Sequence, residues 1–268
     1  MQGKINPLIH PFKWLEQKAL FLPEKSFRGN PGHVGLDFSD IDLLLEDGIR
    51  LHGWHIPHPK AQQEGPVWLI LHGNGGNISV RLDQYKELHD RYDAAVIAID
   101  YRGYGKSSGF PSEHGLYADA LAAYKHTQSI YPKNKIYIFG RSMGGAVASQ
   151  LVTKVPANAL ILEASISSIQ EIIKERSKWL RYFPLKLISS ANFNTKEYVS
   201  TSKIPKLIFH GDSDKTVSHI HSERIYKFAR EPKQLEIIAG GDHNGLDLVD
   251  PERYHAVLQK FLREHNLL

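Results

Sequence analysis

The side chain best placed by its neighbours to do chemistry is Ser142, in Gly140-Arg141-Ser142-Met143-Gly144. The apolar run Ile136-Tyr137-Ile138-Phe139 precedes it. A helical pattern follows, with Met143, Val147 and Leu151 four residues apart. Strand, sharp turn and helix are the setting in which G-x-S-x-G lifts a serine hydroxyl clear of a sheet edge. Such a turn crowds the residues two before and two after the serine, and glycine relieves the crowding.

A serine hydroxyl needs a histidine to take its proton, and that imidazole needs an acid to orient it. Among 15 histidines, position must decide. His243 lies in Gly240-Gly241-Asp242-His243-Asn244-Gly245, after the last strand and before the last helix. A glycine-rich loop there can lay the ring onto Ser142. His210 and His72 end strands, while His52, His55 and His58 lie along or just after the early hairpin. These five read as structural. For the acid, Asp214 sits past the strand end in His210-Gly211-Asp212-Ser213-Asp214, with Asp212 serving the turn itself. Glu163, after the strand that follows the nucleophile, is the second candidate. Ser142, Asp214 and His243 fall in the order Ser…Asp…His, with room for a helix and a strand between the last two.

An oxyanion needs two donors. The Met143 N–H is one, and the Asn74 N–H in His72-Gly73-Asn74-Gly75-Gly76-Asn77 is the other, where glycines let the backbone turn its amides inward. Two phosphate-loop lookalikes fail. Ile78 stands where a third glycine belongs in a dinucleotide fingerprint. Asp100 stands where the first glycine belongs before Gly105-Lys106-Ser107. No nucleotide, metal or other cofactor is expected.

The elements that must carry these residues follow one rhythm. A hairpin, Phe38–Leu45 and Ile49–Ile56, turns at Glu46-Asp47-Gly48. Short apolar strands at 67–71, 94–99, 136–140, 159–162, 206–210 and 234–238 then alternate with amphipathic helices. Ser112 caps one helix, and Asp250 with Pro251 starts the last. The pattern predicts an α/β architecture with a mostly parallel sheet of eight strands, helices on both faces, and a single domain over 1–268.

Two segments break the rhythm. Residues 164–203 follow a strand's C-terminal end, where open α/β sheets bind ligands. With Lys174, Arg176, Lys178, Trp179, Arg181, Tyr182, Phe183, Pro184, Leu185 and Lys186, they read as a small cap over the site or as a pair of surface helices. Residues 1–37 form a loop-rich arm. Its stretch Pro11–Leu22 mixes aromatics, leucines and lysines, and is expected to pack on the body or to touch a membrane surface.

The 268 residues carry a formal net charge of +4 without a basic stripe, so no nucleic-acid partner is expected. The absence of cysteine excludes disulfides and a thiol nucleophile. No apolar stretch is long enough to span a bilayer, and no signal peptide is evident, so the expected location is the cytoplasm, with peripheral membrane contact as the alternative.

From about Ile41 onward the chain resembles serine hydrolases of the α/β-hydrolase fold. The likeness rests on His72 to Asn77, Asp100-Tyr101-Arg102-Gly103-Tyr104-Gly105-Lys106-Ser107, Gly140 to Gly145, His210 to Val217 and Gly241-Asp242-His243. The His-Gly-Asn turn and Leu51-His52-Gly53-Trp54 are similar to the branch that holds lipid-handling members, monoacyl lipases and protein depalmitoylases among them. The resemblance implies hydrolysis of an ester or thioester, with a small-molecule or lipid-like acyl substrate. A serine peptidase and a non-catalytic binding protein are the alternatives.

Overall fold

A computed structural model describes residues 20–176 and 191–268. Among the described residues the main sheet has eight strands: β2 (Ser39–Leu44), β3 (Arg50–Ile56), β4 (Val67–Leu71), β6 (Ala95–Ile99), β7 (Ile136–Arg141), β8 (Ala159–Glu163), β9 (Lys206–Gly211) and β10 (Lys233–Ile238). Their spatial order is β10-β9-β8-β7-β4-β6-β3-β2. The hairpin β2–β3 is antiparallel and joins β6 antiparallel, while the remaining pairs are parallel. At its turn, Gly48 takes a φ of +78°, the left-handed conformation glycine adopts without steric cost. Two further short strands, β1 (Leu22–Pro23) and β5 (Gly75–Gly76), pair in parallel away from the main sheet.

The central strands are apolar throughout because both faces are covered. In β4, Val67, Leu69 and Leu71 enter one core and Trp68 and Ile70 the other. The first core is closed by α2 (Glu113–Ile130), α3 (Met143–Leu151) and α6 (Ile220–Phe228). The second is closed by α1 (Leu82–Tyr92), α7 (Leu246–Val249) and α8 (Pro251–Glu264). The expected caps are present: Ser112 Oγ accepts from Gly115 N, and the Asp250 side chain accepts from Arg253 N with Pro251 at the first helical position.

From β4 the chain runs to β6 on one side, then crosses to β7 on the other. The loops after β4 and β7 therefore diverge at the strand ends, the point where a parallel sheet opens a crevice. Of the 164–203 interruption, α4 (Ile169–Arg176) and α5 (Thr195–Thr201) are described. The cap residues Lys178 to Lys186, and the arm residues before Leu20, lie outside the described residues. Among the described residues, no helix is long and apolar enough to cross a membrane.

Candidate active site

Ser142 follows β7 and caps α3 with φ +52° and ψ −120°, a conformation that costs a non-glycine residue energy and is kept only where surrounding contacts enforce it. Its N–H donates to Glu163 O at 2.9 Å, and its carbonyl accepts from Gly145 N at 3.0 Å. The glycines are required sterically: a Cβ on Gly140 would lie 2.5 Å from both Ala148 Cβ and Gly144 O, and one on Gly144 would strike the Leu71 and His72 carbonyls. Met143 opens α3, so its N–H is among the unpaired donors of the first turn.

The loops after β9 and β10 are held together by register and by glycine. Gly211 pairs with Ile238, and Gly211 and Gly241 approach so closely that neither tolerates a Cβ. Ser213 N donates to Gly241 O at 3.0 Å. Asp212, expected to serve its own turn, accepts there from Ser213 Oγ at 3.0 Å and also accepts from Gly240 N at 2.8 Å, which ties the two loops to each other. This juxtaposition sets Asp214 Oδ2 at 2.7 Å from His243 Nδ1.

Asp214 is buried and fully engaged. His210 Nε2 lies 3.1 Å from Oδ2, while Thr216 N and Val217 N each donate to Oδ1 at 2.8 Å. Burial alone would push this carboxyl up. The hydrogen bonds from His210, His243 and Val217 outweigh it and hold the carboxyl well below the usual carboxylate range. His210 faces two acceptors through Nε2, Asp214 and Val217 O at 2.8 Å, so Nε2 carries the proton and Nδ1 meets Ser222 Oγ at 2.6 Å. The residue read from sequence as merely structural is a support of Asp214.

Glu163 does not meet His243. It is buried and accepts from Tyr254 Oη at 2.8 Å, and its Oε1 lies 3.1 Å from Arg141 Nε as an ion pair, off the geometry of a hydrogen bond. Burial pushes its carboxyl up. Arg141 is itself 3% exposed and donates through Nη2 to the His243 carbonyl and, at 2.8 Å, to Asn244 Oδ1. Arg81 Nη2 reaches the same Asn244 oxygen at 2.9 Å. Arg141, Arg81 and Asn244 were not singled out from sequence. Arg141 occupies the variable position beside Ser142, which was the only signal.

The loop after β4 lies directly against the serine: a Cβ on Gly73 would be 3.3 Å from Ser142 Cβ. The Asn74 side chain anchors this loop to the arm. Its Oδ1 accepts from Leu22 N at 3.2 Å and from Tyr104 Oη at 3.0 Å, and its Nδ2 donates to Leu20 O at 2.6 Å. The β1–β5 pairing and Asn77 Nδ2, which donates to Glu24 O and Ser26 O, continue the attachment.

Ser142, Met143, Asn74 and His243 line one cavity of about 400 Å³. Leu20 and Leu22 from the arm, Ile166, Ile169 and Ile172 from the cap segment, and Phe193 give it apolar wall. Phe193 is held in place by Glu113, whose carboxylate accepts from Asn192 N and Phe193 N at 2.6 and 2.7 Å. Among the described residues, no cluster of His, Asp or Glu is arranged to hold a metal ion.

Comparison with known proteins agrees with this architecture. The family model for serine aminopeptidase, S33, matches residues 62–201. The Mycobacterium tuberculosis protein Rv2307c is 34% identical over 260 residues, which cover 96% of this chain and 91% of that protein. The alpha/beta hydrolase domain-containing protein WAV2 of Arabidopsis thaliana is 32% identical over 273 residues, covering 93% and 88%. Among solved structures, the Pyrococcus furiosus esterase Pf2001 superposes with a TM-score of 0.75 at 20% identity, covering 91% of this chain and 98% of that one. The sheet and its crossings are therefore those of the α/β-hydrolase fold, and the chain belongs to the serine aminopeptidase S33 family of hydrolases.

Proposed function

We infer that the protein cleaves carboxylic esters or thioesters through an acyl-enzyme on Ser142. The observation that carries this reading is the 2.7 Å contact between Asp214 Oδ2 and His243 Nδ1 at a cavity that Ser142 also lines. The ionised Asp214 fixes the proton on Nδ1, which leaves Nε2 as the basic nitrogen. Ser142 Oγ attacks the carbonyl carbon as His243 Nε2 takes its proton. The negative oxygen is received by the Asn74 and Met143 N–H groups. The carbonyl–leaving group bond then breaks, and His243 returns the proton to the departing alcohol or thiol. Water repeats the sequence on the acyl-serine and regenerates the enzyme.

The apolar lining supports an acyl chain, and with it the lipid-handling branch. A cytoplasmic enzyme touching membranes peripherally is the setting this reading implies. An aminopeptidase must hold a free α-ammonium group. None of the described side chains lining the cavity is Asp or Glu, whereas two are arginines, which disfavours a cationic substrate there. Turnover of p-nitrophenyl esters from acetate to palmitate, with an acyl-CoA alongside, tests the reading. The expected result is a maximum at a medium or long chain and loss of all turnover in Ser142→Ala. Cleavage of aminoacyl p-nitroanilides in preference to every ester would overturn it.

A further inference from the structure

The cavity carries a charge that neither the nucleophile nor its relay uses. Arg141 and Arg81 both line it and converge on one atom, Asn244 Oδ1, at 2.8 and 2.9 Å. The two guanidinium groups are in different states. The Arg141 charge is answered by Glu163 at 3.1 Å, and its Nε and Nη1 are sealed from solvent. Arg81 is only half-buried, no carboxylate of the described residues is paired with it at ion-pair distance, and Glu163 and Asp247 act on it only through space. A guanidinium has five N–H donors, and the Arg81 hydrogen bond to Asn244 uses one of them. The remaining donors sit on a positively charged stretch of wall in a cavity whose described lining contains no acid.

The place of this charge is informative. Asn244 is the residue after His243, and His243 is the group that hands a proton to the departing oxygen or sulfur. Asn244 and Arg81 line the same cavity as His243, so a substituent on the leaving group has both within its reach. The apolar wall of Leu20, Ile169, Ile172 and Phe193 is available to the acyl chain. Planar, bidentate donors of this kind suit a phosphate or carboxylate.

The geometry points to Arg81 as a substrate-binding residue that selects esters whose leaving group is anionic, with Asn244, held by Arg141, aiming its guanidinium. This assignment rests on the acyl-enzyme reading above and names its substrate class: an acyl ester or thioester of a phosphate- or carboxylate-bearing alcohol or thiol.

Three substrates with one acyl chain test it: octanoylglycerol, octanoylglycerol phosphate and octanoyloxybutanoate. The wild-type protein is expected to show a kcat/KM about 10- to 100-fold higher on at least one anionic ester than on the neutral one, the size of a hydrogen bond to a charged group. The larger of the two preferences identifies phosphate or carboxylate. Arg81→Gln is expected to cut that preference at least tenfold, chiefly through KM, and Arg81→Lys to restore part of it. A wild-type protein without preference for either anion overturns the assignment. So does an Arg81→Gln variant that lowers all three substrates equally, because Arg81 would then only be bracing Asn244. Labelling with a fluorophosphonate, whose leaving group is fluoride, reports Ser142 separately. Labelling without anion preference sinks only the role of Arg81. Absence of both labelling and turnover takes down the acyl-enzyme reading, and this assignment with it.

Discussion

At the scale of single residues, the two buried acids near the serine are distinguished by what they touch. Asp214 accepts from His243, His210 and two backbone amides, whereas Glu163 is occupied by Arg141 and Tyr254. Asp214→Asn is therefore expected to lower kcat on a p-nitrophenyl ester by about 10³- to 10⁴-fold, because an amide no longer fixes the imidazole tautomer. Glu163→Gln should leave kcat within about tenfold while lowering Tm, since it strips a buried guanidinium of its counter-charge. The opposite ranking would assign the acid role to Glu163. Asp214 also binds its proton less tightly in the folded chain than in the unfolded one. Its stabilising contribution is complete above the ordinary carboxylate range and is lost as pH falls through its lower folded value.

Asp247 behaves in the opposite sense. Burial first, and the nearby charge of Glu163 second, raise its carboxyl from 3.8 to about 6. The folded chain then holds this proton more tightly than the unfolded chain does. Stability falls as pH rises from about 4 to 6, and the full penalty, on the order of 2–3 kcal/mol, persists above that. Asp247→Asn should raise Tm at pH 7.5, with the gain shrinking to nothing near pH 4. A gain independent of pH would contradict this assignment.

At the scale of elements, the arm is the part of the site that sequence patterns do not reveal. A two-residue strand containing proline has no periodicity, and β1 is recognisable only through its partner Gly75–Gly76, more than fifty residues on. The same distance hides the side-chain role of Asn74, two of whose three hydrogen bonds attach the arm to the loop that bears its own N–H, the third coming from Tyr104 Oη. Asn74→Ala keeps that backbone donor but removes the attachment. It should lower kcat about tenfold or more, the range for losing part of an oxyanion site, and speed hydrogen exchange at Gly75 and Gly76. Unchanged exchange with lowered kcat would show that the side chain acts directly on substrate. By contrast, the turn at Ser142 and the caps at Ser112 and Asp250 were legible because their causes lie within a few residues. Clash relief by Gly140 and Gly144, and side-chain capping of nearby amides, need no knowledge of the rest of the chain.

At the scale of the whole molecule, the alternation of apolar strands and helices was enough to predict the α/β class and eight strands, because burial on both faces demands that pattern. The order of the strands was not in that pattern. Parallel pairing puts the loops after β4, β7, β9 and β10 at one edge, and the order decides which of them are neighbours, and therefore which acid meets His243. The Arg141–Glu163 pair shows the limit well: β7 and β8 set Arg141 opposite Glu163 in register, a relation fixed by sheet assembly and absent from either motif alone. All of this architecture serves a single proposed event, formation of an acyl bond at Ser142. Intact-mass spectrometry of the full chain treated with a fluorophosphonate, followed by peptide mapping, tests it directly. One adduct is expected, on Ser142, formed slowly in His243→Ala and not at all in Ser142→Ala. An unmodified wild-type protein, or an adduct mapped to any other side chain, would contradict it.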